Sequence, residues 1–157
     1  MEYADRLVLP WELSAPDLRP LAEGTGDRQM LTVYGRIPMM LSAGCVLKTM
    51  GECRQAKGGF AQLADRKGAR FPVRYICAFC YNVVYNSLPL SLHRFADRND
   101  PLLFGAGSWI CSFTTESGEE TGKVLRAYQR AASHKGADLF PEGTGSYTTG
   151  HFRKSAL

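Results

Sequence analysis

Residues 6–35, RLVLPWELSAPDLRPLAEGTGDRQMLTVYG, decide the fold. Arg6 to Leu9 is a short apolar run closed by Pro10, and Ser14-Ala15-Pro16-Asp17 is helix-start chemistry, with proline and an acid in the first turn. The helix ends by Gly24, because Gly24-Thr25-Gly26-Asp27 has loop composition, and Gln29 to Tyr34 resumes with β-branched and aromatic residues before Gly35. Strand, helix and strand in this order make a parallel unit, which belongs to an α/β sheet or barrel whose loops at strand C-terminal ends carry the chemistry. Glu12, after the first strand, and Arg36, after the second, fall at such ends and are candidate substrate-binding residues for a carboxylate or phosphate. Ordinary surface ion pairing is the alternative for each.

Further along, Phe60 to Ala64, Asp65-Arg66-Lys67-Gly68 and Arg70 to Ile76 read as a polar-tipped hairpin running directly into Cys77. Cys80 to Ser87 mixes apolar residues with Asn and Ser ahead of Pro89, which predicts a short helix or an irregular segment. Ser108 to Thr115 is the next strand. Ser117-Gly118-Glu119-Glu120 is a capping box, and Val124, Leu125, Tyr128, Ala131 and Ala132 follow at helical spacing, predicting a surface helix over Glu119 to Ser133. Past Gly136 the periodicity stops, and Gly143-Thr144-Gly145 lacks the strand and helix that a phosphate loop requires. The expected organisation is one domain over 1–134, with a cysteine region at 45–80, and a loosely ordered tail over 135–157.

The 157 residues are 45% hydrophobic and 22% charged, with a net charge of +4, a balance that excludes a disordered polyelectrolyte and predicts a single core. The longest uncharged apolar run, near Ile37 to Val46, is broken by Pro38, Ser42 and Gly44 and falls short of the roughly 20 residues that span a bilayer. The first residues do not resemble a secretory signal, so the expected location is the cytoplasm, without a membrane partner. A sequence pI near 8.9 with scattered Lys and Arg permits an RNA partner without demanding one.

Five cysteines, Cys45, Cys53, Cys77, Cys80 and Cys111, are an odd count that fits reduced thiols better than a closed disulfide framework. Four of them form C-x7-C-x23-C-x2-C, and the last pair has the spacing that lets two sulfurs reach one metal centre from a tight turn. Zinc sites usually show two short knuckles, whereas iron–sulfur clusters accept uneven sets. Spacing alone leaves iron–sulfur, zinc and unliganded thiols open. Cys111 lies in the apolar run Trp109 to Phe113 and reads as a buried structural thiol. There is no Gly-x-Ser-x-Gly elbow and no His-Glu-x-x-His, and the three histidines are His93, His134 and His151. A serine or zinc protease is therefore unsupported, while a cysteine nucleophile with a distant histidine stays open.

The string YGRIPMMLSAGC, Tyr34 to Cys45, resembles the signature of the U32 peptidase family, the collagenase-like proteases. LADRKGARFPV (Leu63 to Val73), CAFCYNVVYNSLPLSL (Cys77 to Leu92), SFTTE (Ser112 to Glu116) and TTGHFRK (Thr148 to Lys154) resemble, in order, later motifs of the large bacterial members. The resemblance implies a TIM-type barrel whose cysteines hold a [4Fe-4S] cluster. Members were named as peptidases, yet several act in oxygen-independent hydroxylation of RNA bases or a quinone precursor. On it, Cys45 and Cys53 match the first two cysteine ligands and Cys77 and Cys80 the following pair, while Cys111 matches no ligand. A full barrel takes about 250 residues and eight strands, against the three or four strands legible here. The expected fold is thus α/β, the C-terminal part of a TIM-type (β/α) barrel with a cysteine-bearing hairpin insertion, its front half missing or carried on another chain. Three functions are expectations on this basis: a cluster-bearing enzyme modifying RNA or a related acceptor, a peptidase with a peptide substrate, and a structural zinc module or inactive remnant.

Overall fold

A computed structural model describes residues 4–53, 58–96, 98, 100–133 and 146–153. These residues form a mixed α/β structure of two four-stranded sheets and five α-helices, with no closed barrel. The chain divides into two compact units, Met1–Gly35 with Leu90–Leu157, and Arg36–Pro89.

In the first unit, β1 (Leu7–Leu9) leads through α1 (Ala15–Glu23) to β2 (Gln29–Gly35), and the two strands pair in parallel, as residues 6–35 predict. Ser14 closes the N-terminus of α1 as a capping box with Asp17, satisfying backbone donors that the first turn leaves open. After the second unit come β7 (Leu90–Ser91), α3 (His93–Ala96), α4 (Pro101–Gly105), β8 (Ser108–Ser112) and α5 (Gly118–Ala132). Leu31 of β2 pairs with Leu9 on one side and with Trp109 on the other, so the parallel strands run in the order β1-β2-β8. The short β7 pairs antiparallel with the end of β2, at Tyr34 and Gly35. Leu18, Val33, Leu92 and Leu103 are essentially sealed from solvent; each such burial contributes about 1.5–3 kcal/mol.

The capping box at Ser117 and Glu120 starts α5 where predicted. Its buried stripe is Val124, Ala127, Tyr128 and Ala131, so the helical reading holds while its phase shifts. Leu125 and Ala132, placed in the stripe by sequence, face solvent, and Ala127 takes the inward position. Within the stretch expected as a loose tail, the described residues 146–153 return to the unit. Thr148 bridges Leu90, the Phe152 carbonyl accepts from Ala15 N at 3.0 Å, and the Phe152 ring packs 4.7 Å from that of Phe95. Gly143-Thr144-Gly145 and His134 lie outside the described residues.

The second unit is an antiparallel sheet in the order β3-β6-β5-β4, made of β3 (Pro38–Ser42), β4 (Gly59–Ala64), β5 (Arg70–Ile76) and β6 (Tyr81–Tyr85), with the short α2 (Val46–Thr49) after β3. The predicted hairpin is β4 and β5, paired from Gly59–Tyr75 to Ala64–Arg70 and tipped by Asp65, whose carboxylate accepts from Lys67 N and Ala69 N, both at 2.8 Å. The expectation of a helix or irregular segment after Cys80 is corrected: Tyr81–Tyr85 is a central strand between β3 and β5. Asn82 and Val84 alternate inward, and the Asn82 carboxamide finds a partner inside, so period-two burial outweighs the poor strand propensity of asparagine. The described residues form eight strands: five follow the runs read from sequence, and β3, β6 and β7 are short strands defined by their neighbours.

Candidate functional site

The register of the second sheet brings three cysteines, Cys45, Cys77 and Cys80, to one end of it. Ser42 at the end of β3 pairs with Asn82 near the start of β6, placing Cys45 and Cys80 just beyond that same end. Ile76, the last residue of β5, pairs with Tyr81, the first of β6, and Cys77 to Cys80 make the connection. Gly59, at the start of β4, pairs with Tyr75 at this same end; residues 54–57, which join Cys53 to β4, lie outside the described residues. Asn82, wholly buried, donates its side-chain amide to the Gly44 carbonyl, tying the backbone before Cys45 to the strand after Cys80.

The Cys77–Cys80 connection is a 3-10 turn that ends with Cys80 in the left-handed region, at φ 53° and ψ 38°. It is the non-glycine residue with positive φ among those described, a conformation that costs of order 1 kcal/mol and concentrates at functional sites. The Cys80 backbone amide and thiol both point at the Cys77 carbonyl, at 3.4 and 3.8 Å. All five thiols are free; Cys45 and Cys77 are half-buried, Cys53 and Cys80 exposed. Among the described residues no three His, Cys, Asp or Glu side chains stand together in a metal-ligating arrangement. Free thiols are the donor type that a thiolate-bound metal or cluster uses, and three of them, Cys45, Cys77 and Cys80, lie at a single sheet end.

Glu12 and Arg36 belong to different units. Glu12 is exposed in the turn after β1. The apolar cavity beside that turn, lined by Leu9, Trp11, Leu31, Leu90 and Phe152 among others, has a volume of about 10 Å³, room for one water rather than a substrate. Arg36 donates from Nη1 to the Asn86 and Ser87 carbonyls at 3.0 and 2.5 Å, so its guanidinium helps fix the strand exit after β6.

A polar cluster that the sequence reading did not assemble lies at the C-terminal end of β2 and β8. The Tyr128 hydroxyl donates to the Val33 carbonyl at 2.7 Å and accepts from Leu92 N at 3.1 Å, with Ser91 Oγ at 2.9 Å. Ser91 Oγ in turn lies 2.8 Å from His93 Nδ1, whose ring meets Tyr147 edge-on at 5.2 Å. Burial, and then the neighbouring Arg94 charge, lowers the His93 pKa. Burial pushes the Tyr128 hydroxyl far up and the Cys111 thiol up to about 11. Glu116 accepts from Thr114 N, Thr115 N and the Tyr34 hydroxyl at 2.7, 3.0 and 3.3 Å. The one sequence signal was the SFTTE string; the rest joins through strand pairing. Ser91 is 1% exposed, so the Ser91–His93 pair offers a substrate carbonyl no approach and acts as an internal brace.

Set against protein-family models, curated proteins and solved structures, the chain matches none. Among the described residues, no helix is long and apolar enough to cross a membrane.

Proposed function

We propose that this chain is the cluster-bearing C-terminal part of a U32-type enzyme, in which Cys45, Cys53, Cys77 and Cys80 hold a [4Fe-4S] cluster that serves oxygen-independent modification of RNA or a related acceptor. The observation that carries the reading is that Cys45, Cys77 and Cys80, all free thiols, lie at one end of the β3-β6-β5-β4 sheet; Cys53 joins them as the fourth ligand on the family resemblance. The sequential order β1-β2-β8, with helices following the strands, supports a singly wound (β/α) segment over a doubly wound sheet, whose order reverses at a switch point. On this reading β1 and β8 are open edges that further strands of the barrel cover, on this polypeptide or another, and the location is the reducing cytoplasm.

When bound, such a cluster supplies one-electron chemistry or substrate activation. The residues of this chain orient it: the Asn82 tether holds the Cys45 approach, and the left-handed Cys80 sets the turn between the paired thiols. The peptidase alternative gains no nucleophile from the buried Ser91–His93 pair.

Anaerobic purification tests the proposal. The expected protein is brown and carries about four irons and four sulfides per chain. It loses them when Cys77 or Cys45 is replaced by serine, and keeps them in Cys111→Ser. A colourless protein with one zinc per chain overturns the cluster in favour of a structural zinc module. Peptide cleavage abolished by a substitution outside the cysteines overturns it in favour of the peptidase.

A further inference from the structure

The two units differ sharply in charge. Arg36–Pro89 carries eight Lys and Arg against two acids, Glu52 and Asp65, whereas the remainder of the chain carries 11 against 13. The net +4 of the chain therefore hides a small unit of about +6. Directly paired residues of an antiparallel sheet share a face. By register, Phe60 of β4 lies beside Arg74 of β5, which lies beside Val83 of β6 and then Leu41 of β3; Ala64 pairs with Arg70, and Ile76 with Tyr81. One face of the sheet thus presents Phe60, Arg70, Arg74 and Tyr81 together. Phe60 is 45% exposed and Phe79, stacked on Tyr81 at 6.3 Å, is 75% exposed. Arg70 and Arg74 are exposed and make no ion pair among the described residues. The opposite face holds the buried Val73, Asn82 and Val84.

Exposed aromatic rings beside two arginines without ion pairs among the described residues, on one face of a sheet whose unit carries about +6, have the chemistry that binds unstacked bases and their phosphates. We propose that this face is a platform for single-stranded RNA, with bases stacking on Phe60 and on the Phe79–Tyr81 pair and phosphates held by Arg70 and Arg74. Phe60 and Tyr81 are two strands and two residues apart, about 12 Å at ordinary sheet spacing, a gap that a short run of unstacked nucleotides bridges. Tyr81 directly follows Cys80, so the strand is led to the cysteine end of the sheet. The choice of RNA rests on the proposed function; the polyanion surface rests on the register and the charge.

Fluorescence anisotropy with a labelled single-stranded RNA of about 12 nucleotides, at about 0.1 M salt, tests the platform on the full chain. Phe60→Ala and Phe79→Ala each weaken binding about tenfold. Arg70→Gln with Arg74→Gln lowers the slope of log affinity against log salt by about 1.4, the value for two single-strand phosphate contacts. Lys123→Gln and Arg130→Gln, on α5, leave both unchanged. Circular dichroism confirms folding, and Arg74→Glu serves as a second variant should Phe60→Ala lose structure. Equal binding of duplexed RNA, equal competition by polyglutamate, or α5 variants as damaging as those on the sheet overturns the platform. Cys77→Ser distinguishes the two proposals: lost iron with retained RNA affinity is expected if both hold. Iron-replete wild type that binds no RNA overturns the platform alone, and metal-free wild type that binds RNA overturns the cluster alone.

Discussion

Asn82 donates its side-chain amide to the carbonyl of Gly44, the residue before Cys45, and sits two positions after Cys80. One buried carboxamide thus couples the two cysteine-bearing segments that the sequence keeps furthest from short-range pairing. Asn82→Leu keeps the volume and removes the donor, leaving the Gly44 carbonyl without that bond. It lowers stability by about 1–3 kcal/mol in urea denaturation. Iron content per folded chain also falls, because the Cys45 approach is released. Unchanged stability together with unchanged iron would show that the tether orders nothing.

Gly35 stands at φ 145°, and a Cβ there would strike the backbone oxygen and side chain of Ser112 on the paired β8. The glycine of Tyr34-Gly35-Arg36 is therefore needed for strand approach as well as backbone conformation. Gly35→Ala destabilises by about 3 kcal/mol and reduces soluble yield. A thermal midpoint within a degree or so of wild type would refute this.

Tyr128 is the hub of the first unit, bonding Val33, Ser91 and Leu92 from one buried hydroxyl. Tyr128→Phe removes one bond from each group without opening a cavity; Leu92 N still donates to the Val33 carbonyl at 2.9 Å and Ser91 Oγ keeps His93 Nδ1, so the expected loss of stability is about 1–1.5 kcal/mol. Chemical denaturation measures it, and a loss under about 0.5 kcal/mol would mean that water replaces the hydroxyl.

The pH dependence has a sign at each flank. Burial raises the Cys111 thiol from 9.0 to about 11, so between those values the unfolded chain releases its proton first, and stability falls as pH rises through that window. Cys111→Ala flattens this fall. Burial and then Arg94 lower the His93 pKa below 6.5, so below that pH the unfolded chain binds the proton first and stability falls on acidification. His93→Gln flattens the acid side. Denaturation midpoints across pH 5 to 11 read both, and identical curves for variants and wild type would exclude these groups as the cause.

What residues in sequence can determine is what neighbours along the chain impose. The βαβ unit of residues 6–35, the hairpin around Asp65 and the Ser117–Glu120 cap were legible because turn chemistry, caps and periodicity act over a few residues. Tyr81–Tyr85 was not, since a five-residue segment with an asparagine becomes a central strand only when β3 and β5 flank it and give Asn82 an interior partner. The same holds for function. The sequence supplied four cysteines and their spacing, and strand register decided that Cys45, Cys77 and Cys80 approach one sheet end. Likewise, the sequence supplied Phe60, Arg74 and Tyr81, and cross-strand pairing put them on one face. Convergence between distant segments is decided by long-range hydrogen bonding and burial, which no local pattern encodes.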